Sequence, residues 1–361
     1  MRRVPVLIVG GGPAGSAAAI TLANGGVPAE LIERRVEAHD VVCGGFLGWD
    51  AIAALKRLGI DPFSLGAQPI RRLRLAGSGR ATESDLPHPA AGLSRRCLDE
   101  ALLAKAAAAG AQVRRGVSAR AGDETGIVRT DGGEEIAADG LILATGKYEL
   151  RGLARAVPRS RGAGAVGLRA SFVPDARAAA GLTGTIELHP FDGGYAGLLQ
   201  QEDGRVNLCL SVAAARLRQA GGIPALLREL GREAPLLGER LAPAADESWL
   251  SVGNVPYGWR ARGGREGIYR VGDQAAVIAS LAGDGIAIAL TSGIAAAQAH
   301  LRHKGAASYQ RDFAARASHP LAVAQALRWI AEHGLARRLM LGAARGVPGL
   351  TRAAARLTRI G

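Results

Sequence analysis

The stretch VPVLIVGGGPAGS, residues 4–16, decides the fold. Residues 4–9 are apolar on both faces, which predicts a short strand inside a parallel sheet. Gly10-x-Gly12-x-x-Gly15 follows at once, and Ser16–Asn24 reads as a helix with alanine on its inner side. The first glycine allows a tight turn, the second lets backbone approach a pyrophosphate, and the third lets helix and strand pack closely. Gly25-Gly26 ends the helix and Ala29–Ile32 is a second strand. Glu33 stands at its end, 18 residues after Gly15, where an acid can bind a ribose hydroxyl pair. The unit predicts a dinucleotide site.

Outward from this unit, Asp50–Leu58 reads as a helix, residues 70–86 as a strand pair around Gly77-Ser78-Gly79, and Ser94–Ala109 as a helix. A hairpin is expected through Asp131-Gly132-Gly133, and a buried strand, Leu141–Ala144, runs into Thr145-Gly146-Lys147. From Gly167 to Val212 the pattern is extended and broken by Asp-Gly turns, which predicts an antiparallel meander. The first pattern returns at Ile268, with a strand ending in Asp273 and a helix from about Gly285 to His300. The expected class is α/β. A Rossmann-type domain of residues 1–66, 91–165 and 265–305 is interrupted by an antiparallel β-sheet lobe of residues 67–90 and 166–264. A basic helical tail, 306–361, follows.

Composition narrows the function. The chain has 361 residues, 48% hydrophobic and 21% charged, enough for a sizeable core. No apolar run is long enough to span a bilayer, and the Val4–Val9 run leads into glycines rather than a signal cleavage site. Three cysteines with no metal-ligand spacing speak against a disulfide framework or a metal site, and for a reducing, cytoplasmic setting. The net charge of +13 comes with only 4% aromatic residues and scattered arginines, so nucleic acid is not an expected partner. Leu335–Gly361 carries six arginines and no acid, leaving two readings: a solvated helix face, or peripheral membrane contact.

Three separated motifs now stand in order: Gly10–Gly15 with Glu33-Arg34, Arg95-Arg96-Cys97-Leu98-Asp99 at a helix start, and Gly272-Asp273 before Gly283-Asp284-Gly285-Ile286. Over about residues 4 to 300 this order resembles the FAD-dependent oxidoreductases of the p-hydroxybenzoate-hydroxylase fold, and Cys43-Gly44-Gly45 resembles their geranylgeranyl reductase branch. The resemblance implies FAD as cofactor. Gly10, Gly12, Pro13, Ala14, Gly15 and Arg95 would meet its pyrophosphate, Glu33 with Arg34 beside it the adenosine ribose, and Ala119 the adenine. Asp273 would bond the ribityl chain or pyrophosphate, Gly285 and Ile286 would bring a helix N-terminus to the ring's pyrimidine edge, and Gly44 and Gly45 would give clearance for the ring. NAD(P)H is the implied electron donor, yet Thr145-Gly146-Lys147 stands where the family usually has Asp-Gly. Halogenases of this fold rely on a lysine and a paired-tryptophan motif; Gln68–Ser94 holds no lysine and Trp259 has no Trp-x-Trp partner.

The expectation is a flavoprotein oxidoreductase acting on a hydrophobic small-molecule or lipidic substrate. Monooxygenation by reduced flavin and O₂ is placed first as the commoner chemistry of the fold. Reduction of a prenyl C=C bond is the alternative, and a non-enzymatic flavin carrier a third reading. Cys43 is the candidate proton donor and His189, at the end of a lobe strand, the candidate acid or base. Tyr195, Tyr257 and Trp259 read as core, and Cys97 and Cys209 as packing.

Overall fold

Short apolar runs become strands, and the longer alanine- and leucine-patterned runs become helices. In chain order the strands are β1 (Arg2–Val9), β2 (Ala29–Glu33), β3 (Phe46–Leu47), β4 (Gln68–Gly77) and β5 (Arg80–Gly92). Next come β6 (Gln112–Arg115), β7 (Ala119–Gly122), β8 (Ile127–Thr130), β9 (Glu135–Leu143) and β10 (Ala165–Phe172). The last five are β11 (Thr185–Phe191), β12 (Gly194–Gln200), β13 (Val206–Ala213), β14 (Leu250–Val255) and β15 (Ile268–Arg270). The helices are α1 (Pro13–Asn24), α2 (Trp49–Arg57), α3 (Arg95–Ala108), α4 (Ala176–Leu182), α5 (Ala214–Ala220) and α6 (Ile223–Glu233). They continue as α7 (Pro235–Leu241), α8 (Gly285–Leu301), α9 (Ala306–Glu332), α10 (Gly334–Gly346) and α11 (Gly349–Leu357). This computed structural model describes residues 1–77, 79–157, 164–244, 247–347 and 349–360; Ser78, at the tip of the expected hairpin, and Gly361 lie outside the described residues.

The first sheet runs β6-β2-β1-β9-β8-β7, with β15 also paired to β9. β1 lies parallel between β2 and β9, in the register Val6↔Ala29 and Leu7↔Leu141. Val6, Leu7 and Ile8 are fully buried, as a strand apolar on both faces requires. The expected hairpin through Asp131–Gly133 joins β8 to β9 antiparallel.

The second sheet runs β14-β10-β13-β12-β11-β4-β5-β3. β11, β12 and β13 form the expected meander, and β10 pairs antiparallel with β13. β11 then runs parallel to β4, which joins the early strand pair to the same sheet. The sequence pattern did not disclose α4–α7. Leu226, Leu227 and Leu230 of α6 and Leu237 and Leu241 of α7 pack with Phe172, Leu198, Leu208 and Leu210 on one face of this sheet, so its other face is left to line a cavity.

Two close approaches aim helices at that cavity. A Cβ at Gly15 would stand 1.9 Å from the Gly10 carbonyl, and one at Gly293 would stand 2.1 Å from the Ala14 carbonyl. Only glycine lets α1 approach its strand turn and α8 approach α1 so closely.

The tail is helical as expected, but Pro320 sits inside the 27-residue α9 without ending it. The chain closes on buried ground: Thr358 and Ile360 are both sequestered from solvent.

Candidate active site

The ends of β1, β2, β9 and β15, the starts of α1 and α8, and one face of the second sheet line a cavity of about 650 Å³. In its nucleotide-side half, Gly10 has φ +111°, and a Cβ there would stand 2.5 Å from the Ala144 carbonyl, so the turn needs glycine. Gly12 precedes α1 with no side-chain cap, and Pro13 fills the first helical position. Asp284 likewise gives α8 no side-chain cap, and nothing lies within 4 Å of a Cβ at Gly285. Two helix N-termini with unsatisfied amides therefore meet one cavity, an arrangement that suits a pyrophosphate and an electron-rich ring edge. Glu33 accepts from the Gly11 amide at 2.7 Å and from the Arg35 amide at 2.9 Å, which fixes its carboxylate at the rim. The Arg34 guanidinium lies 4.1 Å from the centre of the Tyr148 ring. The room left by these glycines and the donor set around it fit FAD.

Arg95 grips Asp99 with two hydrogen bonds of 2.8 Å. Burial pulls its guanidinium down, but the charge and hydrogen bonds of Asp99 outweigh burial and raise it, so Arg95 stays charged. The sequence showed no basic partner for Cys43; the fold supplies Arg95 and, close by, Lys147. Lys147 Nζ stands 3.3 Å from the Asp273 carboxylate, which raises the lysine above its ordinary value. Gln274 fixes the Thr145-Gly146-Lys147 loop by donating to the Gly146 and Tyr148 carbonyls at 2.9 and 3.0 Å.

The Cys43 loop is strapped from the second sheet. Asn207 Nδ2 donates to the Cys43 and Gly44 carbonyls at 3.1 and 2.8 Å, and its Oδ1 accepts from Arg169 at 2.6 Å. Arg169 in turn pairs with Asp40 at 3.1 Å. Gly45 takes φ +67°, and a Cβ there would stand 2.6 Å from Gln201 Nε2. The thiol is thus held by a loop with little freedom.

The other half of the cavity is mostly apolar. Strand alternation turns Ile186 and Leu188 of β11, Tyr195, Gly197 and Leu199 of β12 and Cys209 of β13 toward it. Tyr195 and Tyr257 both hydrogen-bond the Ser280 hydroxyl, the latter at 2.7 Å, giving this chamber one polar corner. Burial pushes the Tyr195 phenol well up and the Cys209 thiol up to about 12, so both keep their protons. These positions correct the reading of Tyr195 and Tyr257 as core and of Cys209 as packing. Alternation on the middle strands was the signal for Tyr195 and Cys209, once it is known which face α6 and α7 cover.

The same alternation corrects His189. It shares a face with Glu187, opposite Ile186 and Leu188, and its Nε2 lies 3.2 Å from the Glu187 carboxylate. Arg240 donates to that carboxylate at 2.9 and 3.0 Å, and Arg74 also reaches it. His189 is buried outside the cavity lining and cannot meet a substrate there. Trp259 donates to the Ala156 carbonyl at 3.2 Å, and Cys97 packs near the Leu65 carbonyl; neither lines the cavity.

Residues 3–146 match the FAD binding domain family. This segment is an FAD-binding domain, and the match supports an FAD-dependent oxidoreductase. It is 29% identical to a menaquinone reductase of Mycolicibacterium smegmatis, over 82% of this chain and 76% of the relative. It is 28% identical to digeranylgeranylglycerophospholipid reductase 2 of Methanopyrus kandleri, over 80% of this chain and 74% of the relative. A flavin-dependent brominase superposes with a TM-score of 0.81 over 99% of this chain and 93% of its own; at 16% identity this likeness shows the fold alone.

Within this flavoprotein the fold brings nearly all the sequence-read positions together. Gly10, Gly12, Pro13, Ala14, Glu33 and Arg34 line the nucleotide side with Arg95 and Ala119, while Cys43, Gly44, Gly45, Asp273, Gly285 and Ile286 line the rest of the wall. Gly15 stands just behind the lining, against Gly10. Lys147 was missed as a site residue, because its partner Asp273 is distant in sequence and only the fold joins them.

Proposed function

We propose that this flavoprotein reduces a carbon–carbon double bond of a hydrophobic, prenyl-type substrate, with Cys43 as the proton donor. The observation that carries the reading is the Cys43 thiol in the cavity wall, accepting from the Gly45 amide at 3.5 Å, with Arg95 and Lys147 among its neighbours, and held on a strapped loop. FAD held by the two helix N-termini, Glu33, Arg95 and Asp273 supplies, when reduced, the hydride equivalent. The apolar chamber accepts an isoprenoid chain and excludes water around it. Arg95 and Lys147 set two cations near the Cys43 sulfur. Tyr195, Tyr257 and Ser280 offer hydroxyls to a carbonyl or other polar head group. The curated relatives that span most of the chain are named as reductases, which supports this reading over hydroxylation.

The test is anaerobic incubation of the FAD-loaded protein with a menaquinone or a geranylgeranyl lipid, using dithionite, NADH or NADPH in parallel as reductant. Mass spectrometry should find product heavier by two hydrogens. Product heavier by one oxygen atom, formed only in air, would replace reduction by hydroxylation.

A further inference from the structure

Twelve large hydrophobic side chains stand exposed among the described residues, and six of them fall between Trp329 and Leu357. The inner sides of α10 and α11 are anchored. Leu341 and Ala344 are buried, Leu341 sits over Gly77, and Thr351 donates to the Ser84 hydroxyl at 2.9 Å. The outer side of α10 carries Leu335, Arg338, Leu339 and Arg345 at helical spacing, with the two leucines 74% and 67% exposed. On α11, Leu350, Arg356 and Leu357 face outward as well. Arg338, Arg345 and Arg356 pair with no carboxylate among the described residues, and His333–Gly361 contains no acid.

Arg345 also reaches the Gly77 carbonyl at 3.5 Å, but leucines and arginines without carboxylate partners on one surface have a defined complement. A merely solvated face gains nothing from exposed leucines, and symmetric pairing with a second copy would set arginine against arginine. An anionic bilayer satisfies both groups: the arginines meet headgroup phosphates and the leucines enter the acyl boundary. The patch also begins beside the chamber, since Trp329 follows Arg328, whose guanidinium lies 4.7 Å from the centre of the Tyr257 ring in the cavity wall. We propose that the outer face of α10 and α11 docks this protein on an anionic lipid surface. The inference stands on the surface alone and does not depend on which reaction the flavin performs.

The experiment is co-sedimentation of the full-length, FAD-loaded protein with phosphatidylcholine vesicles, with and without phosphatidylglycerol. Binding is expected to the anionic vesicles and to weaken with salt. The triple variant R338Q/R345Q/R356Q should bind about a hundredfold more weakly, and L335S/L339S should also bind more weakly, both with an unchanged flavin spectrum. Should either variant lose its flavin, the single substitutions R338Q and L339S carry the same comparison. No binding of the parent to anionic vesicles, or equal binding of parent and variants, would overturn the proposal. So would a dimer that L335S/L339S converts to monomer while vesicles bind neither form, since the face would then belong to a second copy.

Discussion

Arg359→Met removes the cation set against a buried carboxylate at the start of α8. Arg359 Nη1 lies 2.8 Å from Asp284 and 3.9 Å from Asp50, Nη2 donates to the Ala282 carbonyl at 3.0 Å, and the Ile360 amide donates to Asp284 at 3.1 Å. The Asp284 side chain has no solvent exposure and that of Arg359 only 8%, so solvent screens the pair little. In its charged form, such a carboxylate left without its partner costs about 3–5 kcal/mol. At roughly 2.1 cal/mol/K per residue, the unfolding entropy of 361 residues is about 0.8 kcal/mol/K, so Tm should fall by roughly 4–7 °C. Burial pushes the Asp284 carboxyl well up, helped by Asp50 and opposed by Arg359. The folded state therefore binds a proton that the unfolded state releases, and its stability is greatest near the ordinary carboxylate range and falls as pH rises through the raised value. Without Arg359 the charged form is disfavoured further, so the deficit of R359M should be larger at about pH 8 than at about pH 5.5. Scanning calorimetry of the FAD-loaded protein at both pH values measures this, and D284N/R359M should recover part of the loss. A Tm within about 1 °C of the parent at both pH values, or a deficit that grows as pH falls, would refute the reasoning.

Gly10→Ala places a methyl group 2.5 Å from the Ala144 carbonyl at a left-handed backbone position; FAD affinity should fall by at least about tenfold, measured by titrating apoprotein with FAD. Cys43→Ser should leave flavin content and dithionite bleaching unchanged while substrate reduction falls by about 10²–10⁴-fold, the range of a lost general acid; turnover and visible spectra recorded on the same sample separate the two. His189→Gln should leave turnover within about twofold, because the ring lies outside the cavity, and should cost about 1–3 kcal/mol by weakening the partnership of buried Glu187. Burial pushes the Glu187 carboxyl up, but hydrogen bonds from His189 and Arg240 hold it below the usual carboxylate range. Its stabilisation is complete above its unfolded value and is lost as pH falls through the lowered one, so acid unfolding of H189Q, followed by circular dichroism, should begin at higher pH than in the parent.

What the sequence discloses here is what local geometry dictates. The β1–α1 turn, Glu33 and the Arg95–Asp99 pair are all legible because glycine spacing, strand ends and i,i+4 neighbours are properties of short segments. Asp273 and Gly285 are legible for the same reason, at the end of one short element and the start of another. Long-range partners are not legible. Nothing near Thr145-Gly146-Lys147 announces that its lysine meets Asp273, and nothing near Cys43 announces Arg95. The alternation of residues 185–191 is visible, but it divides the strand into two faces without saying which one sees the cavity. The leucines of α6 and α7 decide that by covering the face opposite Ile186 and Leu188, and so His189 falls outside the site while Tyr195 and Cys209 fall within it. The tail is the same case: its helices break after Glu332 and Gly346, and the reach of Arg359 to Asp284 is a tertiary fact.

That reach ties the two ends of the functional argument together. Arg359 stands two residues beyond Leu357 on the proposed lipid-facing side, and its guanidinium also lies 4.7 Å from the centre of the Trp49 ring and 5.8 Å from that of Phe46, a cavity residue. Gly283 packs under the same Phe46 ring, so the turn that opens α8, its N-cap Asp284 and the last residues of the tail form one buried joint. One segment thus carries two roles on opposite sides, with its outer leucines exposed and its outer arginines without carboxylate partners, and its inner arginine and Ile360 amide holding the helix whose N-terminus faces the flavin site. Deleting the tail from Leu335 would remove both at once, and a loss of flavin would then be mistaken for a loss of lipid contact. Point substitutions on the two sides keep them apart: outer-face changes should move vesicle binding and leave the flavin spectrum, and R359M should change Tm and its pH dependence while leaving the lipid-facing surface intact.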